Sequence, residues 1–179
     1  MKDHYLTVNF DSGIHPETEI IDVRVSLTLK NIHTDEETDI GDALLYFINT
    51  FRSNSWIDVI EQADVISGDL LTVISGLKQV LEEEEEYFGQ LVVLDSILIK
   101  NEYRNKGYGE EAMVEILRYL ELLSFDYIAL LAYPFEEKDK DNQLNQIKRL
   151  IRFYEQLGMN VVKDDKVTET IMGMNLNHI

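Results

Sequence analysis

The sequence predicts an α+β domain in which a run of strands is followed by two helices and then by alternating strands and helices. Three patterns support this fold class. Apolar side chains alternate near the N-terminus, they recur every three or four residues in the middle, and two nearly continuous apolar runs follow at 91–100 and 127–133. With 179 residues, the chain is expected to form one domain, 1–179.

The N-terminal part is predicted to be strands. Residues 5–10 alternate loosely and form the first predicted strand, with a turn expected at Asp11-Ser12-Gly13. Residues 19–32 carry an apolar side chain at nearly every second position, which is typical of a half-buried strand. The polar stretch 31–38 is predicted to be a loop, and the apolar stretch 42–50 suits a buried strand.

Residues 54–85 are predicted to form two helices, because their apolar side chains follow three- and four-residue spacing. Ser67-Gly68-Asp69 interrupts this pattern, and either Ser67 or Asp69 can cap the second helix. The five glutamates at 82–86 are predicted to be a solvated helix end or a loop, since negative charge is unfavourable at a helix C-terminus.

The C-terminal part alternates strands and helices. Residues 91–100 and 127–133 are predicted strands, and the second one fits a sheet covered on both faces. The helix between them is predicted at 110–123, where one stripe carries Met113, Ile116, Leu117, Leu120 and Leu123. Charged residues 136–142 are predicted to be a loop.

A final helix is predicted at 144–157, and Gly158 suits its C-terminal cap. The apolar stretches 161–162 and 168–176 predict a terminal hairpin. The chain shows no internal repeat and no linker.

The composition is strongly acidic, with 16 Lys+Arg against 34 Asp+Glu, a net charge of -18 and a pI of about 4.4. The electrostatic field of such an acidic protein repels nucleic acid and anionic membranes, so neither is an expected partner. The same field attracts cationic ligands such as amines. Solubility alone also accounts for this charge, and that interpretation stays open.

Several classes of site and location are excluded or disfavoured. The chain has no cysteine, which excludes disulfides, thiolate metal sites and a cysteine nucleophile. Its four histidines are scattered near the ends without metal-ligand spacing, so no metal is expected. No apolar run is long enough to span a membrane, and MKDHYLTVNF lacks the apolar block of a signal peptide. We therefore expect a cytoplasmic protein.

The most informative segment is Arg104-Asn105-Lys106-Gly107-Tyr108-Gly109, between a predicted strand and a predicted helix. Glycines let the backbone turn tightly and leave its N–H groups unobstructed. Those groups, together with the positive end of the helix dipole, form an anion site. Arg104 and Lys106 add two positive charges in an acidic chain. The segment therefore predicts a phosphate-bearing ligand.

Three glycine-rich motifs compete for this segment. The P-loop needs Gly-Lys-Ser/Thr, but two glutamates follow Gly109. The dinucleotide fingerprint matches at Gly107, Gly109 and Ala112, although it lies farther from the strand than that motif requires. The third motif, Arg/Gln-x-x-Gly-x-Gly/Ala, matches completely at Arg104, Gly107 and Gly109.

With the third motif, the sequence resembles the GNAT superfamily of acyl-CoA-dependent N-acyltransferases, over residues 41–176. The resemblance is clearest in LVVLDSILIKNEYRNKGYGEEAM and IRFYEQLGM, which resemble the family's fourth strand with its pyrophosphate loop, and its late helix. It implies a mixed, mostly antiparallel central sheet flanked by helices, with a splayed pair of parallel strands that holds the coenzyme. It also implies acetyl-CoA as the acyl donor.

The resemblance implies a coenzyme site on this strand and loop. The pantetheine arm would pair like an extra strand with Ile97, Leu98 and Ile99. Main-chain N–H groups of the loop would bind the pyrophosphate, at Asn105, Lys106, Gly107, Tyr108, Gly109 and Glu110. Arg104 would fix the loop or contact a phosphate, and a surface cation is the alternative for this residue. An asparagine that the family often carries falls at Ile147 here, with Asn142 and Asn145 nearby.

Acyl transfer to an amine needs a neutral amine, donors for the oxyanion and a proton for the thiolate. Without a cysteine, direct attack on the thioester is predicted. Tyr154 matches the family's tyrosine and is the candidate general acid, although periodicity alone also fits a core tyrosine. Asp95 lies inside an apolar run and is the candidate base or amine-binding carboxylate. A solvated or turn-bonded carboxylate is the alternative for Asp95.

The predicted function is an N-acetyltransferase that moves an acyl group from acetyl-CoA to a primary amine. The expected acceptor is a small-molecule or peptide amine that carries positive charge, and the helices between 54 and 81 are expected to wall its site. Such a domain can also form a homodimer. The alternative is a non-catalytic acyl-CoA-binding or regulatory module on the same fold, and a dinucleotide-binding protein ranks third.

Overall fold

The structure is a computed structural model, and it describes residues 3–53, 55–84, 89–134, 140–164 and 170–177. Within these ranges the chain forms seven strands, four α-helices and one short 3-10 helix at Asn101–Tyr103. The strands are β1 (His4–Ile14), β2 (Ile21–Asn31), β3 (Glu37–Asn49), β4 (Gln90–Ile99), β5 (Tyr127–Leu131), β6 (Asn160–Asp164) and β7 (Thr170–Asn175). The helices are α1 (Trp56–Ile66), α2 (Gly68–Glu84), α3 (Tyr108–Leu122) and α4 (Lys140–Gln156).

The strands form one sheet in the order β1-β2-β3-β4-β5-β7-β6. Every neighbouring pair is antiparallel except β4 and β5, which are parallel. The parallel pair is joined through α3, as parallel strands require a crossover connection. The mixed, mostly antiparallel sheet of the predicted α+β fold is therefore confirmed.

Apolar side chains cover both faces of the central strands. Along β4, Val92 and Leu94 belong to one buried cluster, which also contains Met113 of α3 and Tyr154 of α4. The alternate residues Leu91 and Val93 belong to a second cluster, which contains Leu70 and other residues of α1 and α2. Because successive side chains of a strand point to opposite faces, α3 and α4 cover one face and α1 and α2 cover the other.

Serine hydroxyls begin both helices of the first pair. The Ser55 side chain accepts a hydrogen bond from the Asp58 N–H at 3.3 Å. Ser67 ends α1, and its hydroxyl accepts a hydrogen bond from the Leu70 N–H at 3.1 Å. The predicted break at Ser67-Gly68-Asp69 is therefore confirmed, with Ser67 as the cap.

The turn predicted at Asp11-Ser12-Gly13 is wrong, because these residues continue β1. They pair with Arg24, Val23 and Asp22 of β2, and this pairing outweighs the local turn preference. The chain turns instead after β1, where the His15 N–H donates to the Ile20 carbonyl at 2.9 Å.

Other boundaries also differ from the prediction. β5 ends at Leu131, two residues before the predicted end, and α4 begins at Lys140, inside the predicted loop 136–142. The rest of that loop, 136–139, lies outside the described residues, as do part of the glutamate run, 85–86, and the hairpin connection, 165–169. The terminal hairpin itself is confirmed, because β6 and β7 pair antiparallel. Gly158 follows α4 with a φ of 93°, which suits its predicted role as the cap.

Candidate functional site

Strand β4 carries a bulge at Asp95. Leu45 of β3 lies opposite Leu94, but the preceding residue Leu44 lies opposite Ser96, so Asp95 has no partner in β3. An extra residue of this kind bends a strand and redirects its side chains. The bulge therefore marks the point at which the second half of β4 changes direction.

At the same level β4 separates from β5. The parallel pairing runs from Leu91 opposite Tyr127 to Leu94 opposite Leu130 and ends there, although β4 continues to Ile99. A cavity of about 470 Å³ lies along the separated part of β4. Its walls also include the segment after β4, the end of β5, and α4.

Both candidate catalytic residues and part of the predicted coenzyme site line this cavity. From β4 and the segment after it, the lining residues are Leu94, Asp95, Ser96, Ile97, Leu98, Ile99, Arg104, Asn105 and Gly109. From β5 and α4, the lining includes Leu130, Leu131, Tyr133, Pro134, Gln146, Arg149, Leu150, Phe153 and Tyr154. Asp95 and Tyr154, which are 59 positions apart in sequence, therefore face one space.

Four of the predicted coenzyme-binding residues lie beside the cavity without lining it. They are Lys106, Gly107, Tyr108 and Glu110, at the turn before α3 and in its first turn. The Lys106 ammonium lies 5.4 Å from the centre of the Tyr103 ring, in cation–π geometry. The side chain of Lys106 is thus directed to its own loop.

The turn before α3 has an unusual backbone. Asn105 has a φ of 59° and Gly107 a φ of 86°, both in the left-handed region. Gly107 occupies the cap position of α3, and its carbonyl accepts a hydrogen bond from the Glu111 N–H at 3.0 Å. The first N–H groups of an α-helix have no partner within the helix, and alternating backbone signs of this kind gather N–H groups into a concave anion site.

Arg104 holds this turn against the end of β4. Its Nε donates a hydrogen bond to the Ile99 carbonyl at 2.7 Å. Lys100 is directed elsewhere, since its ammonium lies 2.8 Å from the Asp39 carboxylate. Arg104 and Arg149 are the cationic side chains among the described lining residues of the cavity.

Asp95 is half-buried, and its surroundings favour the protonated form. Burial raises the pKa of the Asp95 carboxyl, the negative charge of Asp69 raises it further, and a hydrogen bond with Ser96 lowers it. A carboxylate with a raised pKa is a stronger base than a solvated one. The environment of Asp95 therefore suits a group that accepts a proton.

Tyr154 is 6% exposed and belongs both to the buried cluster under α4 and to the cavity wall. Burial raises the pKa of its hydroxyl, so Tyr154 keeps its proton at neutral pH. Its ring also packs against Phe153 with centroids 5.1 Å apart. Tyr154 therefore packs in the core and also lines the cavity.

Sequence reasoning missed several wall residues. Gln146, Arg149 and Phe153 of α4 line the cavity, and they are spaced three and four residues apart, as one helical face requires. This spacing is visible in the sequence and could have indicated these wall residues once Tyr154 was a candidate. Ile147, where the family's asparagine was expected, is buried in the core instead. Tyr133 also lines the cavity, and Gln143 donates a hydrogen bond to its hydroxyl.

Neither a metal centre nor a membrane-spanning helix is found among the described residues. No group of three or more His, Asp or Glu side chains in these ranges is arranged to hold a metal ion. None of the helices, within the same ranges, has the length and apolarity needed to cross a membrane.

No protein-family model matches this sequence, and none of the curated proteins matches it. Solved structures do match. Mosquito arylalkylamine N-acetyltransferase like 5b aligns with a TM-score of 0.51 at 11% identity, over 84% of this chain and 74% of that one. Polyamine N-acetyltransferase from Drosophila melanogaster aligns with a TM-score of 0.50 at 9% identity, over 84% and 72%. A structure of the KacTA–DNA complex aligns with a TM-score of 0.51 at 10% identity, over 97% and 94%.

The chain has the fold of the GNAT N-acetyltransferases. At these identities the similarity establishes the fold, while the activity has to be argued from the residues of the site.

Proposed function

We propose that this protein is an N-acetyltransferase that uses acetyl-CoA to acylate a primary amine. The observation that carries the proposal is the cavity between β4 and β5, because Asp95 and Tyr154 line it and the glycine turn lies at its edge. The similar structures include enzymes that are named for arylalkylamine and polyamine acceptors, which supports an amine acceptor.

The chain has the groups that an acyl-CoA donor would need. Ile97, Leu98 and Ile99 lie beyond the pairing with β5, so the edge of β4 can hydrogen-bond a pantetheine arm as it would an added strand. The turn from Asn105 to Gly109 and the N-terminus of α3 provide main-chain N–H groups for the pyrophosphate. A cavity of about 470 Å³ is within the usual size of small-molecule sites.

The two candidate catalytic residues suit the two proton transfers. During direct attack, the amine nitrogen bonds to the thioester carbonyl carbon, the carbon–sulfur bond breaks, and sulfur takes the electron pair. Asp95 accepts a proton from the nitrogen, and Tyr154 donates a proton to the sulfur. The net result is an amide, a free thiol and transfer of one proton from nitrogen to sulfur. A main-chain N–H of β4, at Leu98 or a neighbour, is the proposed oxyanion donor.

Calorimetry and thiol release test this proposal together. We expect acetyl-CoA to bind, and free thiol to appear only when an amine is added. Binding without thiol release in a broad panel of amines would support the non-catalytic acyl-CoA-binding module instead. Absence of both binding and release would reject the proposal.

A matched pair of variants localises the binding to the cavity. Arg149 lines the cavity, whereas Arg152 on the same helix is exposed and does not line it. Arg149→Gln should weaken acetyl-CoA binding about fivefold, through loss of one solvent-screened charge contact. Arg152→Gln changes the net charge equally and should leave the affinity nearly unchanged. Equal effects of both variants would count against binding in this cavity.

A further inference from the structure

Strand β1 forms one edge of the sheet, because β2 is the one described strand that pairs with it. The 11 residues of β1 pair with consecutive residues of β2 without a register shift. In an edge strand, every second residue directs its main-chain N–H and C=O away from the sheet. The outer side of β1 therefore carries a long, regular row of open hydrogen-bonding groups.

Strand β1 also lacks the features that commonly prevent an edge from pairing with another chain. Such features are short length, a bulge, proline and lysine. β1 contains no proline, lysine or arginine, and Asp11 is its one formally charged residue. The opposite edge strand, β6, has only 5 residues, a register shift between Val161 and Lys163, and charged side chains at Lys163 and Asp164. Pairing with another chain is therefore expected at β1 rather than at β6.

Apolar side chains extend from the outer side of β1 to one flank of α3. Phe10 stacks on Tyr119 with ring centroids 3.7 Å apart, which places α3 beside β1. Leu122 follows Tyr119 by three residues, so it lies on the same flank of the helix, and it is 74% exposed. Ile14, on the same side of β1 as Phe10, is 75% exposed. We call β1, Tyr119 and Leu122 together the edge surface.

The charge around the edge surface favours a second copy of this chain as the partner. The whole chain has a net charge of -18, so two copies repel each other in most orientations. Strands β1 and β2 are an exception, because two aspartates are balanced by one arginine and one lysine, which gives a formal charge of zero. These residues are Asp11, Asp22, Arg24 and Lys30. Two copies can therefore approach each other at β1 with little repulsion.

The edge surface is also complementary to itself. In an antiparallel pair of strands about a two-fold axis, residues that lie opposite each other face the same side of the sheet. Leu6, Val8 and Phe10 are on the side of β1 that packs against the buried cluster under α3. In such a pair they lie opposite even-numbered residues of the second copy, so the α3 helices of both copies lie on one side of the joined sheet.

The area that such a contact buries suits a stable dimer. A strand of this length is about 37 Å long, and a sheet with one helix layer is about 20 Å thick. Contact over this strip buries about 700 Å² on each copy, or about 1,400 Å² in total, which is within the range of stable protein interfaces.

We propose that this protein forms a two-fold symmetric dimer in which β1 pairs antiparallel with β1 of a second copy, which joins the two sheets into one. The α3 helices lie side by side on one face of that sheet. Because β2 and β3 separate β1 from β4, the cavity beside β4 stays accessible in each copy. The dimer does not depend on the proposed acetyltransferase activity.

Sedimentation equilibrium of the full chain tests the assembly directly. We expect a species with twice the chain mass of 20.8 kDa. A mass of one chain at every concentration would overturn the inference. A mass that keeps growing beyond two chains would also overturn it, because a two-fold pair closes after two copies.

A matched pair of variants tests whether β1 makes the contact. Asn9 and Ser26 lie opposite each other in β1 and β2, and both are exposed. Asn9 is the central residue of β1, so it lies at the two-fold axis when the strands overlap fully. Asn9→Glu should weaken dimerisation about tenfold, because it places two like charges opposite each other. Ser26→Glu adds the same charge one strand farther away and should change the dissociation constant little. Equal dissociation constants for the two variants would refute pairing through β1.

Hydrogen exchange of the wild type provides a second measurement that needs no substitution. In the dimer, the outward N–H groups of β1 gain partners, so their exchange should slow as the protein concentration rises through the dissociation constant. Exchange in β6, at the other edge, should not change with concentration. A dimer in which the exchange of β1 is as fast as in the monomer would contradict the proposal.

Discussion

Tyr154 and Asp95 suit opposite proton transfers because their surroundings differ. Burial raises the pKa of the Tyr154 hydroxyl and keeps it protonated, so it can donate. Burial and the charge of Asp69 raise the pKa of the Asp95 carboxyl, so it can accept. The two residues thus fit an acid and a base across one cavity.

Replacing Tyr154 with phenylalanine should lower kcat about a hundredfold, because the departing sulfur loses its proton donor. The KM for acetyl-CoA and the thermal midpoint should change little, since the ring remains and the hydroxyl hydrogen-bonds to no described residue. Initial rates of thiol release measure the effect. Tyr119→Phe is the matched control, because its ring stacks on Phe10 with centroids 3.7 Å apart and does not line the cavity. Full turnover in Tyr154→Phe would remove the acid role.

Replacing Asp95 with asparagine should remove the acidic limb of the pH profile of kcat/KM. In the wild type, the rate should rise as Asp95 loses its proton, at a pH above the ordinary carboxyl value of 3.8. The variant should be slower and should lack this rise. Rates measured between pH 4 and pH 9 make the comparison, and an unchanged profile would show that Asp95 is not the base.

The same substitution has an expected effect on stability. Because folding raises the pKa of Asp95, the ionised carboxylate is less favourable in the folded state than in the unfolded state. The protonated form contributes stability below the unfolded pKa, and this contribution is lost as the pH rises through the folded value. Asp95→Asn should therefore raise the thermal midpoint at pH 7, and the gain should shrink toward pH 4. A lower midpoint at pH 7 would contradict this account.

At the residue scale, the sequence singles out residues with unusual surroundings more easily than it shows where they lie in the fold. Asp95 was singled out because a charge inside an apolar strand is costly, and the structure places it at a bulge on the cavity wall. Arg149 was missed because an exposed arginine on a polar helix face has no local signal. Only the fold shows that this face of α4 closes the cavity.

At the scale of elements, the proposed donor binding depends on the turn between β4 and α3. Gly107 has a φ of 86°, a conformation that side-chain-bearing residues rarely adopt. The space around it is open, since an added Cβ would meet nothing within 4 Å. A substitution at Gly107 therefore acts through backbone strain alone.

Gly107→Ala should destabilise the protein by about 1 kcal/mol through this strain and lower the thermal midpoint by about 2–4 °C. It should also weaken acetyl-CoA binding about tenfold, because the N–H groups of the turn lose their arrangement. Thermal unfolding and calorimetry measure the two effects. Gly13→Ala is the control, because Gly13 has no positive φ and also has open space around it. Unchanged affinity in Gly107→Ala would show that the turn does not bind the donor.

The elements themselves were largely predictable, and the errors have physical causes. The break at Ser67 was found because its hydroxyl is a strong local cap. The end of β1 was misjudged because Asp11-Ser12-Gly13 is a local turn signal, whereas its strand conformation comes from pairing with β2. β5 was predicted too long because apolar residues continue after Leu131, where the strands separate. Pairing between distant segments is not visible in a local pattern.

At the scale of the whole molecule, the net charge of -18 should have opposite effects on the binding of the two proposed substrates. Acetyl-CoA is anionic and is repelled by the general field, whereas a cationic amine is attracted. Salt screens both effects over roughly 10 Å at about 0.1 M.

Added salt should therefore raise the KM for a cationic amine and lower the KM for acetyl-CoA. Initial rates at about 0.05 M and about 0.5 M sodium chloride measure both constants. If the KM for the amine does not change with salt concentration, the negative charge of the protein does not attract the acceptor. Parallel changes in both constants would indicate a general salt effect on the enzyme.

The order of the sheet could not be derived from periodicity. Apolar patterns locate strands, but they do not specify that β4 and β5 are parallel neighbours that separate after Leu94. That arrangement was expected only from the resemblance carried by Arg104, Gly107, Gly109 and the segment around Tyr154. The bulge at Asp95 had no sequence signal, because it depends on the register against β3.

The most direct test of the central claim is a crystal structure of the protein with acetyl-CoA. The account predicts that the pantetheine arm lies along Ile97, Leu98 and Ile99, with the pyrophosphate at the turn around Gly107 and the sulfur within hydrogen-bond distance of the Tyr154 hydroxyl. Coenzyme bound elsewhere on the molecule, or a cleft between β4 and β5 closed by the protein's own side chains, would contradict it.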